Sequence, residues 1–168
     1  MEGNRPEPPQ QADERATLAG FLDWQRATLA WKCEGLTDPQ LRERAIPPSS
    51  LSLLGLVRHL TRVERSWFRV VAGGEDAAAA GLGEPGGREA AWHDVDTADV
   101  AVAFADWRDA CDESRAVVAA APSLDVTGDD EGERFSLRWI MAHMIEEYAR
   151  HNGHADVLRE RIDGATGE

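Results

Sequence analysis

The residues from Leu137 to Asp163 read LRWIMAHMIEEYARHNGHADVLRERID. Wound at about 100° per residue, this segment places most of its apolar residues on one side of an α-helix. Those residues are Leu137, Met141, Met144, Tyr148, Ala155 and Ile162. Ser136 can cap the start of the helix and Gly164 follows its end. The segment therefore predicts a long amphipathic helix with one buried face.

Polar residues border this apolar face. Glu147 and His151 are four residues apart, so their side chains can converge at one edge of the helix, as two ligands of a divalent metal must. Glu146 points about 180° away from the apolar stripe and is expected to be solvated. His143 and His154 lie further round the same flank as the two ligands. They are candidate catalytic groups that orient the ligands or move a proton; exposed flank residues are the alternative.

Three earlier segments show the same helical spacing of apolar residues. The first helix is expected from about residue 13 to 33, the second from Ser50 or Ser52 to Gly73, and the third from about residue 98 to 121. Residues 73–97 and 122–135 connect these helices, the first with a short turn around Trp92-His93 and the second as an acidic loop.

Four helices and no convincing strand predict an all-α fold, a four-helix bundle with long connections. The bundle is expected to be a single domain over residues 13–163. A Pro-rich leader over residues 1–12 is expected to be disordered, and residues 164–168 are expected to form a flexible tail.

A catalytic metal usually needs a third protein ligand. His59 is the best candidate, because it lies on the second helix within about 60° of Leu56 and 40° of Val63 and so borders the core. If the second and fourth helices are neighbours, His59 meets Glu147 and His151 at one end of the bundle. His93 is less attractive because it falls in an irregular connection.

Composition narrows the class of partner. The chain has 168 residues, enough for one ordinary domain, and a net charge of -13 from 31 acidic and 18 basic residues. This charge argues against a nucleic-acid backbone or an anionic membrane as the main partner. The expected partner is a small-molecule substrate. Cys33 and Cys111 form no CxxC pattern and are expected to be reduced and buried. With neither a signal peptide nor a membrane-spanning run, the expected location is cytoplasmic.

Two segments of the chain resemble a known family. They are SLLGLVRHLTRVERSWF at residues 52–68 and EYARHNGHAD at residues 147–156. Both resemble the DinB-like (DinB/YfiT) metalloprotein superfamily, over about residues 13 to 163, and look closest to an uncharacterised branch. In that superfamily a histidine of the second helix and an HxxxH pair of the last helix bind a divalent metal. His59 and His151 match the first and last of these ligands, and Glu147 takes the middle position.

The glutamate departs from the commonest ligand pattern. It resembles instead the mycothiol-dependent maleylpyruvate isomerases, in which a His-Glu-His set holds zinc. Where other members carry Gly-Gln after the last ligand, this chain has Gly153-His154. The resemblance implies a four-helix bundle of DinB/YfiT type, a homodimer and a low-molecular-weight thiol as cosubstrate.

Together these observations favour a divalent-metal-dependent enzyme, a thiol S-transferase or isomerase that activates a mycothiol-like thiol. Zinc is the preferred metal, with nickel, iron and manganese left open. Two alternatives stay open. One is a metal-dependent hydrolase that uses bound water, and the other is a noncatalytic, stress-associated protein that binds a metal or a small ligand.

Arginines lie beside the expected ligands in the sequence. Arg58, Arg62 and Arg150 are candidates for binding an acidic cosubstrate or cofactor, although solvated helix faces would also explain them. Glu64 projects about 140° from His59 and is expected to pair with an arginine rather than with the metal.

Overall fold

The computed structural model of the protein describes residues 5–83 and 90–167, and this part of the chain is mostly helical. Its elements are α1 (Glu14–Cys33), α2 (Asp38–Arg42), α3 (Leu53–Glu64), a π-helix (Arg65–Ala72), α4 (Ala90–His93), α5 (Val100–Ala120), β1 (Thr127–Asp130), β2 (Glu133–Ser136) and α6 (Leu137–Asp163). The helical fold is confirmed, whereas the four-helix bundle and the single-domain boundaries stay predictions. None of the helices in the described ranges has the length and apolarity needed to cross a membrane.

The boundaries of the main helices follow from their caps. Asp13 Oδ1 accepts a hydrogen bond from the Ala16 amide and so starts α1. Ser136 Oγ accepts from the Trp139 amide at the start of α6. The second predicted helix is α3 together with the π-helix, which ends where the Gly73 amide donates to the carbonyl of Phe68, five residues back.

The described residues before Val57 and after Ile140 form one compact unit. Within it, two side chains of α6 bind the backbone of α1 and of the residue that follows it. The Asn152 amide donates to the Gln25 carbonyl at 3.0 Å, and Arg159 Nη1 donates to the carbonyls of Lys32 at 3.0 Å and Glu34 at 2.8 Å. These bonds hold α6 against α1 over several turns.

Part of the expected leader also contacts α1. The Arg5 guanidinium lies 4.4 Å from the ring centres of both Trp24 and Trp31 and donates to Thr28 Oγ1. A Cβ added to Gly20 would lie 2.5 Å from Pro9. The Pro-rich composition gave no indication of these contacts. Residues 1–4 lie outside the described part of the chain.

The residues from Val57 to Ile140 form the second compact unit. It contains a β-hairpin, so the prediction that residues 122–135 form an acidic loop without strands was wrong. β1 pairs antiparallel with β2, with Thr127 opposite Ser136. The two residues of the turn, Glu131 and Gly132, both have positive φ, as a type I′ hairpin turn requires. Four-residue strands are too short to show a clear alternation in the sequence.

The hairpin packs on the π-helix. An ideal Cβ built on Gly128 would lie 1.8 Å from the carbonyl oxygen of Val71, so only glycine allows this approach. On β2, the Phe135 ring lies 5.3 Å from that of Trp67 and 4.6 Å from that of Trp139. The Phe135 ring therefore packs against both tryptophans.

Two short helices lie in the connections. α4 coincides with the short turn expected around Trp92-His93, whereas α2 was not predicted. At the start of α2, Gln40 Oε1 accepts a hydrogen bond from the Thr37 amide, which is half of a capping box. The part of the 73–97 connection at residues 84–89 lies outside the described residues.

The contact at Gly128 predicts the result of adding one methyl group. Gly128→Ala should destabilise the protein by about 1–3 kcal/mol, because the new Cβ must displace backbone. Gly153→Ala on α6 is the matched control, since no atom lies within 4 Å of its added Cβ. Gly153→Ala should raise stability by about 0.5–1 kcal/mol, as alanine favours the helix. Urea unfolding measures both changes, and equal stability of the two variants would contradict the tight fit at Gly128.

Candidate metal centre

His59, Glu147 and His151 form a group that could hold a metal ion. Each residue offers one ligand atom, and these three atoms all lie within 4.8 Å of one another. All three residues are partly or largely shielded from solvent. The structure therefore brings together the three residues that the sequence singled out as candidate ligands.

The spacing of Glu147 and His151 follows from the regular geometry of α6. One helical turn separates the two residues, and His151 Nε2 lies 3.3 Å from Glu147 Oε2. Two ligand atoms of a tetrahedral site with bonds of about 2.1 Å lie about 3.4 Å apart. The His151 side chain is only 11% exposed and that of Glu147 only 18%. The pair already has the separation that one small cation would impose.

His59 is fixed by a residue that the sequence did not identify. Its ring stacks on that of Trp92 in α4, with centroids 5.3 Å apart and planes inclined by 27°. The preceding residue on α3 reinforces this contact, because Arg58 Nη1 donates to the carbonyl of Ala91. Both contacts orient the imidazole of His59 through α4. Only the position of Trp92 in a predicted turn hinted at such a role.

The two predicted catalytic histidines flank the ligands on α6. His154 Nδ1 lies 3.4 Å from His151 Nδ1, so the nitrogen of His151 that faces away from Glu147 has a polar partner. His143 Nε2 lies 3.9 Å from Glu147 Oε1, and its Nδ1 lies 3.7 Å from Glu146 Oε2. Metal-binding histidines and carboxylates commonly have such outer partners. The positions fit an orienting role, while a catalytic role stays a prediction.

The three arginines singled out in the sequence have different surroundings. Arg58 and Arg62 line a cleft of about 260 Å³ together with Arg65. Arg150 lies on the exposed side of α6, where its Nη2 is 2.7 Å from Glu146 Oε1. Glu146 is solvated, as expected. The structure thus groups Arg58 and Arg62 but not Arg150 at this cleft.

Glu64, for which the sequence predicts an arginine partner, lies in the core. It is fully buried and accepts a hydrogen bond from the Cys111 thiol, with a sulfur-to-oxygen distance of 3.7 Å. The angle between Glu64 and His59 around the helix axis gave the direction of the Glu64 side chain. It could not show that α5 would bury that side chain. Glu64 is not part of the three-residue ligand group.

Both cysteines are buried and free, as expected. Burial raises the pKa of the Cys33 thiol to about 12, although the positive charge of Arg159 opposes this shift. Near neutral pH Cys33 is therefore a protonated, enclosed thiol. A nucleophilic sulfur at the metal group would have to come from a bound molecule.

Comparison with known proteins agrees with this geometry. The chain matches the family model described as mycothiol-S-transferase over residues 17–164. Among curated proteins, none matches the chain. The matched range covers all three candidate ligands and nearly the whole helical chain. The chain therefore belongs to the mycothiol-S-transferase family, within the DinB-like superfamily that its sequence resembles.

Proposed function

We propose that the protein is a metal-dependent thiol S-transferase that joins the sulfur of mycothiol to a small electrophile. The observation that carries this proposal is the group formed by His59, Glu147 and His151 in a chain of the mycothiol-S-transferase family. The thiol loses its proton, its sulfur forms a bond to an electrophilic carbon, and the leaving group departs with the electrons of its bond. The reaction needs no oxidant or reductant.

The ligand chemistry supports a divalent cation. Two neutral imidazoles and one carboxylate suit zinc and several first-row transition metals, and three protein ligands leave room for a further ligand. Zinc is our preferred metal because transfer of a thiol needs no change of metal charge. When bound at such a site, a divalent cation lowers the pKa of a thiol or a water molecule that coordinates it.

The residues around the group have defined tasks in this proposal. Trp92 and Arg58 keep the His59 imidazole in one orientation. His59 therefore loses less side-chain entropy when it binds the metal. His154 holds the second nitrogen of His151, and His143 lies beside Glu147. We propose that these two outer histidines orient the ligands and accept the thiol proton as it leaves.

The protein's own thiols do not compete for this role. Cys33 is enclosed and protonated, and Cys111 is buried against Glu64. A low-molecular-weight thiol is therefore the sulfur donor. We further propose that the protein acts in the cytoplasm as a homodimer, as the superfamily resemblance implies. Light scattering of the purified chain tests the dimer, and a mass of 18.4 kDa would contradict it.

A pair of neighbouring glutamates tests the ligand assignment. Glu147→Gln should lower the affinity for the divalent metal by at least about 100-fold, because loss of outer partners alone lowers it by about 10–100-fold. Glu146→Gln is the matched control, since its carboxylate is solvated and pairs with Arg150. Elemental analysis of dialysed protein gives the metal content. Equal metal content in the two variants would show that Glu147 is not a metal ligand.

Turnover distinguishes the proposed transferase from its alternatives. The metal-loaded protein should consume mycothiol in the presence of an activated aryl chloride and release chloride. A chelator should abolish this consumption, and His151→Ala should lower its rate by at least about 100-fold. Mass spectrometry of the thioether product is the measurement. Ester hydrolysis without thiol consumption would instead indicate a hydrolase, and bound metal with no turnover would indicate a noncatalytic protein.

Thiol labelling tests the claim that the sulfur is external. At about pH 8 a disulfide reagent should label neither Cys33 nor Cys111 in the folded protein, because Cys33 is protonated and both are buried. Both should react at once in urea. The Cys33→Ala and Cys111→Ala variants identify the labelled residue if one reacts. Rapid labelling of either cysteine in the folded chain would mean that an internal nucleophile is available.

A further inference from the structure

A cleft of about 260 Å³ lies in the unit formed by residues 57–140. One wall carries Arg58, Thr61, Arg62 and Arg65 from α3 and the start of the π-helix. These positions are three or four residues apart, so the helix presents them as one stripe. Three arginines on one wall are unexpected in a chain whose net charge is -13. The stripe therefore marks a local positive surface.

The arginines are incompletely paired. Arg62 is half-buried, yet it forms no ion pair or hydrogen bond with any residue in the described ranges. Arg65 Nη2 lies 3.7 Å from Asp106 Oδ1, and its buried Nε atom has no hydrogen-bond partner among those residues. Arg58 uses Nη1 to bind the Ala91 carbonyl. Guanidinium groups that lack partners in a cleft are available to bind an anion.

The opposite charges in the lining indicate what kind of anion fits. Asp99 and Asp106 also line the cleft, so among the described lining residues three arginines stand against two aspartates, a difference of one positive charge. Asp99 is partly committed, because its Oδ1 accepts from the Val102 amide at the start of α5. A single negative charge balances this lining, whereas a dianionic phosphate would meet the aspartates. A carboxylate also matches the planar fork of arginine.

The cleft adjoins α4, the helix that contacts the candidate metal ligand His59. Ala91 lines the cleft and accepts from Arg58, and the next residue, Trp92, stacks on His59. On α3, His59 lies between Arg58 and Arg62 in the sequence and only about 60° from Arg62 around the axis. α4 thus forms part of the cleft and also supports His59.

We propose that this cleft binds a carboxylate group of the electrophilic substrate, with Arg62 as its main partner and Arg58 and Arg65 in support. The assignment of the bound molecule as the electrophile rests on the proposed function. Binding of the carboxylate itself does not. The substrate class is then a small acid that carries an electrophilic carbon, positioned by its charge for attack by the thiol.

Direct binding tests the cleft without any turnover. Benzoate is the probe, benzamide is its neutral isostere, and inorganic phosphate is the competing anion. Titration followed by NMR uses the full chain, once as purified and once after chelation, so that a carboxylate on the metal is not mistaken for one in the cleft. Benzoate should bind the chelated protein with a roughly millimolar Kd, since so small a probe makes few contacts.

Matched arginine variants locate the probe. Arg62→Gln should weaken benzoate binding at least about tenfold, because it removes a charge-assisted hydrogen bond. Arg108→Gln on the exposed side of α5 makes the same charge change outside the cleft and should leave binding unchanged. Unfolding curves of both variants show whether they fold normally. If Arg62→Gln loses stability, Arg62→Lys should fold and bind benzoate with intermediate affinity.

Several outcomes would overturn the proposal. They are equal binding of benzoate and benzamide, tighter binding of phosphate than of benzoate, equal binding by the two glutamine variants, and no benzoate binding to the chelated protein. Each of these outcomes would show that the cleft is not a carboxylate site, whether or not the protein transfers thiols.

Turnover then tests the link to the electrophile. Chloronitrobenzoate and its amide, chloronitrobenzamide, are matched substrates on which the mycothiol sulfur replaces chloride at a ring carbon. The acid should have the higher kcat/KM, and Arg62→Gln should remove most of that preference by lowering kcat/KM for the acid more than for the amide. If benzoate binds but turnover shows no preference for the acid, the cleft is still a carboxylate site but has no role in the reaction. Absence of turnover with either compound would contradict the proposed function while the binding result stands.

Discussion

The candidate centre depends on the placement of Glu147 and His151 at the border between the apolar face of α6 and its polar side. A carboxylate shielded to this degree is unfavourable unless a positive or hydrogen-bonding group accompanies it. The regular turn of the helix supplies His151 at 3.3 Å, and α3 supplies His59 within the same small volume. Three groups that each lose solvent are thereby stabilised by one another and by any cation they share. The remaining contacts of the centre orient these groups.

Much of this arrangement could be predicted from the sequence. The amphipathic spacing in α1, α5 and α6 gave those helices, and Asp13 and Ser136 gave two of their starts. The candidate ligand pair on α6 followed from a spacing of four residues and from its place at the border of the apolar face. His59 was harder, because it lies on a different helix. Its position at the edge of an apolar face and the family resemblance were both needed to select it.

Other features left too weak a signal in the sequence. The hairpin between α5 and α6 has only four residues in each strand, and its acidic composition is typical of a loop. The stack of Trp92 on His59 joins residues 33 positions apart, and no local pattern encodes such a contact. The sequence grouped Arg150 with Arg58 and Arg62 because all three lie beside predicted ligands. Arg150 belongs to α6, which contributes none of the described residues that line the cleft, and its exposed side chain pairs with Glu146.

The enclosure of both cysteines has a further consequence under the proposed function, in which the protein binds electrophiles. Reagents reactive enough to capture a cellular thiol also alkylate exposed protein thiolates. With Cys33 held as an enclosed neutral thiol and Cys111 buried against Glu64, this chain offers little sulfur to such compounds. Under the proposed function, the folded protein would therefore meet successive electrophile molecules without alkylation of its own thiols, so that packing protects it during turnover.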